Sequence, residues 1–251
     1  MAGRLPLTTR TAGHTRRSAC AAGLGAVLVL GTAACGAGGG SGTAGGQGGP
    51  VGKGGSALAA VDELTVKGRA PKTGYERSAF GRAWADTDDN GCGTRDDILK
   101  RDLKNVKFSK GQCKVSSGVL EPDPYTGGRV EYARGRSKVD IDHLVALSDA
   151  WQKGAQQWKP GKRLAFANDP LNLLAAEASA NRQKGDADTA TWLPANKSYR
   201  CAYVASQVAV KKKYGVWVTA AEKTAMKEVL GGCPEQRLPT GGNPTEAKTG
   251  R

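Results

Sequence analysis

Residues 138–143 read KVDIDH and residues 169–186 read DPLNLLAAEASANRQKGD, and these two stretches decide the fold. The first alternates polar and apolar side chains, which is the period of a strand. The second contains a short apolar run, Leu171–Leu174, and continues with helical spacing over Ala176–Lys184 that Gly185 ends. A strand, a short second strand and a helix are therefore predicted at the centre of the domain.

The flanking segments predict further elements of both kinds. Arg129–Ala133 and Lys138–Asp142 both alternate in strand fashion, and the turn residues 134–137 between them indicate a β-hairpin. Because strands and helices are mixed in order, the predicted fold class is α+β. The helices are expected over Ser78–Trp84, Arg95–Leu103, the stretch from Leu144 to Gly154, Ser198–Tyr214 and Thr219–Leu230.

Residues 1–35 have the composition of an export signal. Four arginines precede the apolar run Ala21–Leu30, which is much shorter than the roughly 20 residues of a membrane-spanning helix. The small residues 32–34 then lead to Cys35, an ending that resembles a bacterial lipobox. Two outcomes stay open: Cys35 becomes a lipidated N-terminus, or ordinary cleavage nearby releases the protein. Either one predicts an extracellular or cell-surface location.

The rest of the chain divides into a linker, a body and a tail. Residues 36–56 hold 12 glycines, a composition that cannot offset its ordering entropy and predicts a flexible tether. Residues 57–233 are long enough for one domain, and residues 234–251 form a polar tail that we expect to fray.

The charge of the chain favours a polyanionic partner. Removing the four arginines of the leader from the formal charge of +14 leaves +10. Nucleic acid, anionic lipid and a wall polymer all fit such an excess. The run Lys211–Lys213 either extends a phosphate-binding surface or forms a solvated face, and a solvated face is the more common case.

Four cysteines remain in the body, and an even number in an exported chain predicts disulfides. Of the three pairings, the one that closes the shortest loops is favoured, namely Cys92–Cys113 with Cys201–Cys233. A zinc site is the rival interpretation. It is disfavoured because the body has no C-x-x-C motif and only one histidine.

Polar side chains that can carry chemistry follow both central segments. Asp140, Asp142 and His143 end the first, Asn172 stands in the apolar run of the second, and Asn181 lies nine residues beyond it. The array resembles the HNH endonuclease signature, in the form where asparagine replaces the last histidine.

The surrounding sequence resembles a family of exported actinobacterial proteins related to the C-terminal nuclease domain of GmrSD-type restriction enzymes. The resemblance covers Leu64 to Cys233. It rests on the words GYERSAFGRAWADTDDNGCGTRDDIL, DIDHLVALSDAWQKGA, FANDPLNLLAAEASANRQKGD and TWLPANKSYRCAYVASQVAVKKKYG.

This resemblance implies a ββα-metal core, the HNH fold, and a role for each residue of the array. His143 is the implied catalytic base, and it is also the only side chain of the body with an ordinary pKa near neutrality. Asp142 and Asn181 would hold Mg²⁺ or Mn²⁺, which prefer oxygen ligands. Asn172 would orient the loop of the histidine, and Asp140 either supports the metal ligands or is simply a strand residue. The expected phosphate contacts are Arg182, Lys184, Arg134 and Arg136.

A second metal site is suggested by an acidic loop near residue 90. Asp86, Asp88, Asn90 and Asp97 have the spacing of an EF-hand calcium loop, and Gly91 stands where that loop turns sharply. Aspartate at the last position reaches less well than glutamate, so calcium would bind weakly. The alternative is an acidic turn before the helix at residue 95, pinned by a disulfide.

Three function classes follow. The favoured one is an exported, metal-dependent HNH endonuclease, whose resemblance implies a 3′-hydroxyl leaving group and little sequence specificity. DNA is the favoured substrate, although the sequence leaves RNA open, and cleavage is expected to fall at acidic pH as His143 becomes protonated. The second class is a non-catalytic protein that binds nucleic acid or a wall polymer. The third is a calcium-dependent surface adhesin built on the acidic loop.

Overall fold

The computed structural model describes residues 55–249, which belong to one compact unit. The export signal, Cys35 and the linker as far as residue 54 lie outside the described residues. No helix in the described part is long and apolar enough to cross a membrane. The elements are α1 (Ala57–Asp62), α2 (Thr94–Asp102), β1 (Lys104–Lys110), β2 (Lys114–Leu120), β3 (Val130–Ala133), β4 (Val139–His143), α3 (Leu147–Gln152), α4 (Pro160–Ala167), β5 (Leu173–Glu177), α5 (Ala178–Lys184), α6 (Arg200–Tyr214) and α7 (Ala220–Gly231).

The mixed α+β class is confirmed, and so is the local pairing of the cysteines. Cys92–Cys113 joins the loop before α2 to the turn between β1 and β2, with Cα atoms 5.2 Å apart. Cys201–Cys233 joins the first turn of α6 to the chain just after α7, with Cα atoms 6.4 Å apart.

The strands form two small antiparallel sheets. One has the order β1-β2-β3, and the other consists of β4 and β5. In the second sheet Asp142 lies opposite Leu174 and His143 lies opposite Leu173. Successive side chains of a strand point to opposite faces. Asp142 and His143 therefore point to opposite sides of this two-stranded ribbon.

The predicted hairpin of Arg129–Ala133 with Lys138–Asp142 is wrong, because its two strands belong to different sheets. β3 alternates buried and exposed residues, as a half-exposed strand does, and it pairs with β2. β4 is buried at nearly every position and needs an interior partner. The buried run Leu173–Ala176 of β5 is that partner, although it lies far along the chain.

Apolar clusters cover both faces of the β4–β5 ribbon and hold it in the interior. Val139, Ile141 and Leu173 pack with α2 and the three-stranded sheet. Leu174 and Ala176, on the opposite face, pack with α1, α6 and α7. Since α5 begins at the residue after β5, its first turn is fixed directly by this buried ribbon.

Two predicted helices are shorter than expected. The segment Ser78–Trp84 forms only a single 3₁₀ turn, Arg77–Phe80, because Gly81 and Trp84 both have positive φ angles, of 79° and 58°. The helix expected from Leu144 begins at Leu147, since the chain bends at Leu144 and Val145 and Ala146, with a ψ angle of 145°, is not helical.

The polar tail packs back on the body in part. The backbone N–H of Ala247 donates to the carbonyl of Gly161 at 3.1 Å, and the backbone N–H of Asn243 donates to Asp169 at 3.2 Å. The expectation that the whole tail frays is therefore wrong, because the carbonyl of Gly161 on α4 and the carboxylate of Asp169 after it accept hydrogen bonds from the tail.

A buried ionic cluster joins α3, α6 and α7 behind the ribbon. The ammonium of Lys153 lies 2.7, 2.9 and 2.6 Å from the carboxylates of Asp149, Asp188 and Glu222. Lys211 contacts two of these carboxylates at 3.1 and 2.9 Å and is buried, so the solvated face predicted for Lys211–Lys213 is wrong at its first residue. Arg69 covers the outer side of the cluster.

Candidate active site

His143 ends β4 in a buried position that fixes its protonation. Its Nε2 lies 2.9 Å from the backbone carbonyl oxygen of Ala167. Because a carbonyl oxygen only accepts hydrogen bonds, Nε2 carries the proton and Nδ1 keeps a free lone pair. Burial lowers the pKa of His143 to about 3, and the charges of Arg77 and Lys184 also lower it. The imidazole is therefore neutral at physiological pH.

Asp142 lies on the other side of the ribbon, and its carboxylate is bound by two buried side chains. The hydroxyl of Tyr125 donates to it at 2.5 Å, and the ammonium of Lys184 lies 2.9 Å from the same oxygen. Burial raises the pKa of Asp142, whereas the neighbouring ammonium and hydroxyl oppose that rise. The pair with Lys184 thus favours the carboxylate anion in an interior that would otherwise protonate it.

The sequence predicts that Lys184 contacts a phosphate, but the structure does not place it for that contact. Its side chain is 0% exposed, and its ammonium donates to Asp142 and to the backbone carbonyl of His143, at 2.9 Å. The helical pattern could not distinguish an exposed lysine from one whose charge is compensated inside. Lys184 therefore holds the two adjacent residues Asp142 and His143 in place.

Asn172 holds the loop after β4, which agrees with the predicted orienting role. Its Oδ1 accepts from the backbone N–H of Val145 at 2.9 Å. Its Nδ2 donates to the carbonyls of Val145 and Phe166, at 3.3 and 3.4 Å. Because Phe166 precedes Ala167, the residue that binds His143, one amide links the histidine loop to the end of α4. That Asn172 orients the histidine loop for catalysis stays a prediction.

Asn181 brings the second predicted oxygen ligand to the same place. It lies in α5, is partly exposed, and lines a cleft of about 430 Å³ together with Asp142 and His143. The structure thus brings together three residues that are separated by up to 39 positions in the chain. The other side chains that line the cleft include Lys72, Tyr75, Arg77, Ser148 and Asp186.

The remaining predicted site residues lie outside this cleft. Asp140 shares the strand face of Asp142, but it is partly exposed and lies 3.8 Å from the exposed guanidinium of Arg182. Arg134 forms an ion pair with Asp96 and donates to the carbonyl of Val115 at 2.7 Å. Arg136, in the same turn, is exposed. None of the four lines the cleft.

One wall of the cleft, which residues 72–77 form, was not predicted from the sequence. This wall contributes Lys72, Tyr75 and Arg77. It lies far from the central motif in the chain. Its only signal in the sequence is that Tyr75 and Arg77 stand near the start of the first segment that carries the family resemblance. Tyr125 was missed as well, since nothing local indicates that its hydroxyl binds Asp142.

The donor atoms of the cleft suit a particular kind of ion. Asp142 and Asn181 offer one carboxylate and one amide oxygen, and such hard oxygen ligands suit an ion that retains several waters, as Mg²⁺ does. Across residues 55–249, no three His, Cys, Asp or Glu side chains are grouped in a way that could hold a metal ion.

The acidic loop has its oxygens engaged by its own backbone. Asp86 accepts from the N–H groups of Asn90 and Gly91 at 3.1 and 2.8 Å, and Asn90 accepts from the N–H of Cys92 at 2.7 Å. Asp88 accepts from the amide of Asn90 at 3.1 Å. Burial raises the pKa of Asp97 at the loop's far end. Calcium binding at Asp86, Asp88, Asn90 and Asp97 stays a prediction.

Comparisons with known proteins show which family this chain resembles. A family model described as "GmrSD restriction endonucleases, C-terminal domain" matches residues 93–229. A protein of Arthroderma benhamiae described as an "Uncharacterized secreted protein" is 39% identical over 180 residues, which cover 71% of this chain and 85% of the relative. No solved structure matches the chain significantly.

Proposed function

Because the chain belongs to the family of GmrSD restriction endonuclease C-terminal domains, we propose that it is an HNH-type endonuclease acting on nucleic acid. The proposed substrate is DNA, cut with little sequence specificity. One observation carries the proposal: a neutral buried histidine, His143, shares a cleft with the oxygen donors of Asp142 and Asn181. A base beside metal-binding oxygens is what phosphodiester hydrolysis needs.

The order of elements supports the HNH type. In the ββα arrangement that the sequence resembles, the base ends the first strand and the last ligand comes from the helix. Here His143 ends β4, β5 pairs with it, and Asn181 lies in α5, which directly follows β5. Helix α2 and the apolar clusters enclose the β4–β5 ribbon, and α5 follows β5 directly. The three residues therefore share one support.

The proposed reaction uses the free nitrogen of His143. Nδ1 takes a proton from a water molecule while the oxygen of that water forms a bond to phosphorus. The bond between phosphorus and the 3′ oxygen breaks, and this oxygen leaves with a proton from solvent. The products are a 3′-hydroxyl and a 5′-phosphate. The contact of Nε2 with Ala167 keeps Nδ1 available throughout.

Asp142 and Asn181 would hold Mg²⁺ or Mn²⁺ in this site. When bound, the ion neutralises charge on the phosphate and on the leaving oxygen. Lys184 favours the anionic form of Asp142 that such binding requires, and Tyr125 fixes the direction of the carboxylate. Asn172 keeps the loop after His143 in register with α4.

The proposed setting is extracellular. The relative is described as secreted, and two disulfides fit an oxidising compartment. The lipobox-like sequence before Cys35 further leads us to propose attachment to a membrane through a lipid on that residue, which lies outside the described part of the chain. An intact mass of the mature protein, with or without an acyl group at residue 35, tests it.

Cleavage assays with matched variants test the proposed function. The purified protein is incubated with supercoiled plasmid or with RNA, in magnesium, manganese, calcium or chelator. We expect plasmid cleavage in magnesium or manganese, loss of cleavage in chelator, and 5′-phosphate ends. Asp142→Asn should abolish cleavage, whereas Asp140→Asn, on the same strand face but outside the cleft, should cleave like the parent protein.

The outcomes of this assay separate the function classes. Binding of plasmid without cleavage under every metal would contradict the endonuclease and favour the non-catalytic binding protein. Cleavage that survives chelator would contradict the metal requirement. Preferential degradation of RNA would correct the proposed substrate and leave the reaction unchanged.

A further inference from the structure

Arg77 is a cation that lines the cleft and has no part in the proposed reaction. Of the two cations that line the cleft, Lys72 is paired with Asp186, whose carboxylate lies 3.1 Å from its ammonium. Arg77 is exposed, and none of the carboxylates in residues 55–249 forms an ion pair with it. The guanidinium of Arg77 is therefore free to bind an anion that enters the cleft.

The position of Arg77 relates this free charge to the proposed reaction. Arg77 lines the cleft with Asp142, His143 and Asn181, and it also borders a small cavity on the Trp84 side of the histidine. Its charge is close enough to lower the pKa of His143. Arg77 and the base thus line the same volume, where the proposed reaction would place the substrate phosphate.

We propose that Arg77 binds the phosphate group that is hydrolysed, through its exposed guanidinium, and so completes the catalytic cleft. The proposal rests on the endonuclease function above. A planar guanidinium donates to two phosphate oxygens at once. It would offset the negative charge that grows on these oxygens as water attacks. Arg77 precedes the residues 93–229 that match the family model, so the family match assigns it nothing.

An exposed arginine is often only a solvated side chain, and the chain offers a matched control for that case. Arg82 is also exposed and follows the same 3₁₀ turn. It borders the small cavity at Trp84 but does not line the cleft. Replacing either arginine removes one surface charge from the same segment, and only Arg77 faces Asp142 and Asn181.

The test compares Arg77→Ala, Arg77→Lys and Arg82→Ala in the magnesium-dependent cleavage of plasmid and of bis(p-nitrophenyl) phosphate. The second substrate is a small phosphodiester without bases or neighbouring phosphates. We expect Arg77→Ala to lower kcat/KM about 100-fold on both substrates. Arg77→Lys, which keeps the charge and loses the fork, should lose less, and Arg82→Ala should match the parent protein. Added guanidinium should partly restore Arg77→Ala and leave His143→Ala inactive.

A binding measurement separates phosphate recognition from general attraction. In chelator, where no cleavage is expected, the affinity for a fluorescent oligonucleotide should fall for Arg77→Ala and stay unchanged for Arg82→Ala. If Arg77→Ala unfolds at a lower temperature than the parent, the decision passes to Arg77→Lys and to rescue by guanidinium.

The possible results decide between the two proposals. Equal kcat/KM for Arg77→Ala and Arg82→Ala, in a parent protein that cleaves, overturns the role of Arg77 and leaves the endonuclease intact. A loss on plasmid but none on the small diester also overturns it, because the arginine would then bind the nucleic acid away from the reacting phosphate. A parent protein that cleaves neither substrate overturns both proposals.

Discussion

At the scale of single residues, the chemistry of the cleft depends on which atoms are already bonded. The carbonyl of Ala167 occupies Nε2 of His143, and this contact leaves one nitrogen to act as a base. The ammonium of Lys184 and the hydroxyl of Tyr125 bind the carboxylate of Asp142 and favour its charged form. Burial therefore keeps His143 neutral, and the buried neighbours of Asp142 favour its charged form.

The low pKa of His143 predicts an unusual pH profile. A free histidine titrates near 6.5, and burial lowers this pKa to about 3. Since the lowered pKa keeps the imidazole neutral at lower pH, kcat/KM should stay level as the pH falls through 6.5 and decline only well below it. A pH–rate profile of the parent protein checks this, with fluorescence as the control for folding. A decline centred near 6.5 would contradict the structure and restore the simpler expectation from sequence.

Replacing Lys184 should be costly because it leaves Asp142 buried without a compensating charge. Lys184→Met is expected to destabilise the fold by about 3–5 kcal/mol and to abolish cleavage. Arg182→Met, which removes an exposed charge from the same helix, should change stability little. Urea unfolding of both variants measures the difference. Equal stability of the two would mean that the buried pair contributes nothing.

At the scale of elements, the β4–β5 ribbon and α5 bring the site together. The register opposes His143 to Leu173, and Asn172, one residue earlier, fastens the loop that follows the histidine. Asn181 is partly exposed on α5, and its side chain forms no hydrogen bond with residues 55–249. The two asparagines of the motif therefore have separable roles, one in holding the loop and one in binding.

This separation can be measured with the two alanine variants. Asn172→Ala leaves the buried N–H of Val145 without its partner, which should cost about 1–3 kcal/mol and lower kcat more than it raises KM. Asn181→Ala should keep the melting temperature of the parent protein and lose metal-dependent cleavage. Thermal melting and kinetics of both variants check the pair. A stable Asn172→Ala with full activity would contradict the positioning role.

Local patterns predicted the elements whose partners are close in the chain or whose period is long. Helices α6 and α7 follow their predicted spans closely, and β5 and α5 were expected within three residues of their observed bounds. β1 was missed because its sequence KNVKFSK is polar and almost wholly exposed. The hairpin was wrong because β4 pairs with a strand that the sequence places beyond two helices.

The sequence predicts the candidate site residues that belong to a motif. It does not predict those that only the fold brings to the cleft. Asp142, His143, Asn172 and Asn181 were predicted from their spacing and from the resemblance, and their roles stay predictions. Arg77 enters the cleft from outside the motif, and the burial of Lys184 depends on a carboxylate 42 positions earlier. Contacts of this kind have no local period, so sequence patterns do not reveal them.

At the scale of the whole molecule, the buried ionic cluster links the helices behind the site. Lys153 and Lys211 neutralise Asp149, Asp188 and Glu222 where water is excluded. Burial opposes ionisation of Asp188, but the bonds from Lys153 and Arg69 lower its pKa to about 2. The cluster is therefore a source of stability that depends on pH.

Acid should remove this stability in a defined window. The pKa of Asp188 is lower in the folded protein than its ordinary value of 3.8, so its contribution is complete above that pH and is lost as the pH falls towards about 2. The difference corresponds to about 2 kcal/mol. Urea unfolding between pH 6 and 2 measures it, and Asp188→Asn should show a shallower pH dependence in the window below 3.8. An unchanged dependence in that variant would contradict the assignment.

We propose that His143 activates water in a metal-dependent endonuclease, and plasmid cleavage by a histidine variant tests this role. Supercoiled plasmid is incubated with the parent protein and with His143→Ala, in magnesium and in chelator, after melting curves show that both are folded. We predict that only the parent protein in magnesium nicks or linearises the plasmid. A folded His143→Ala that cleaves at the rate of the parent protein would contradict the claim.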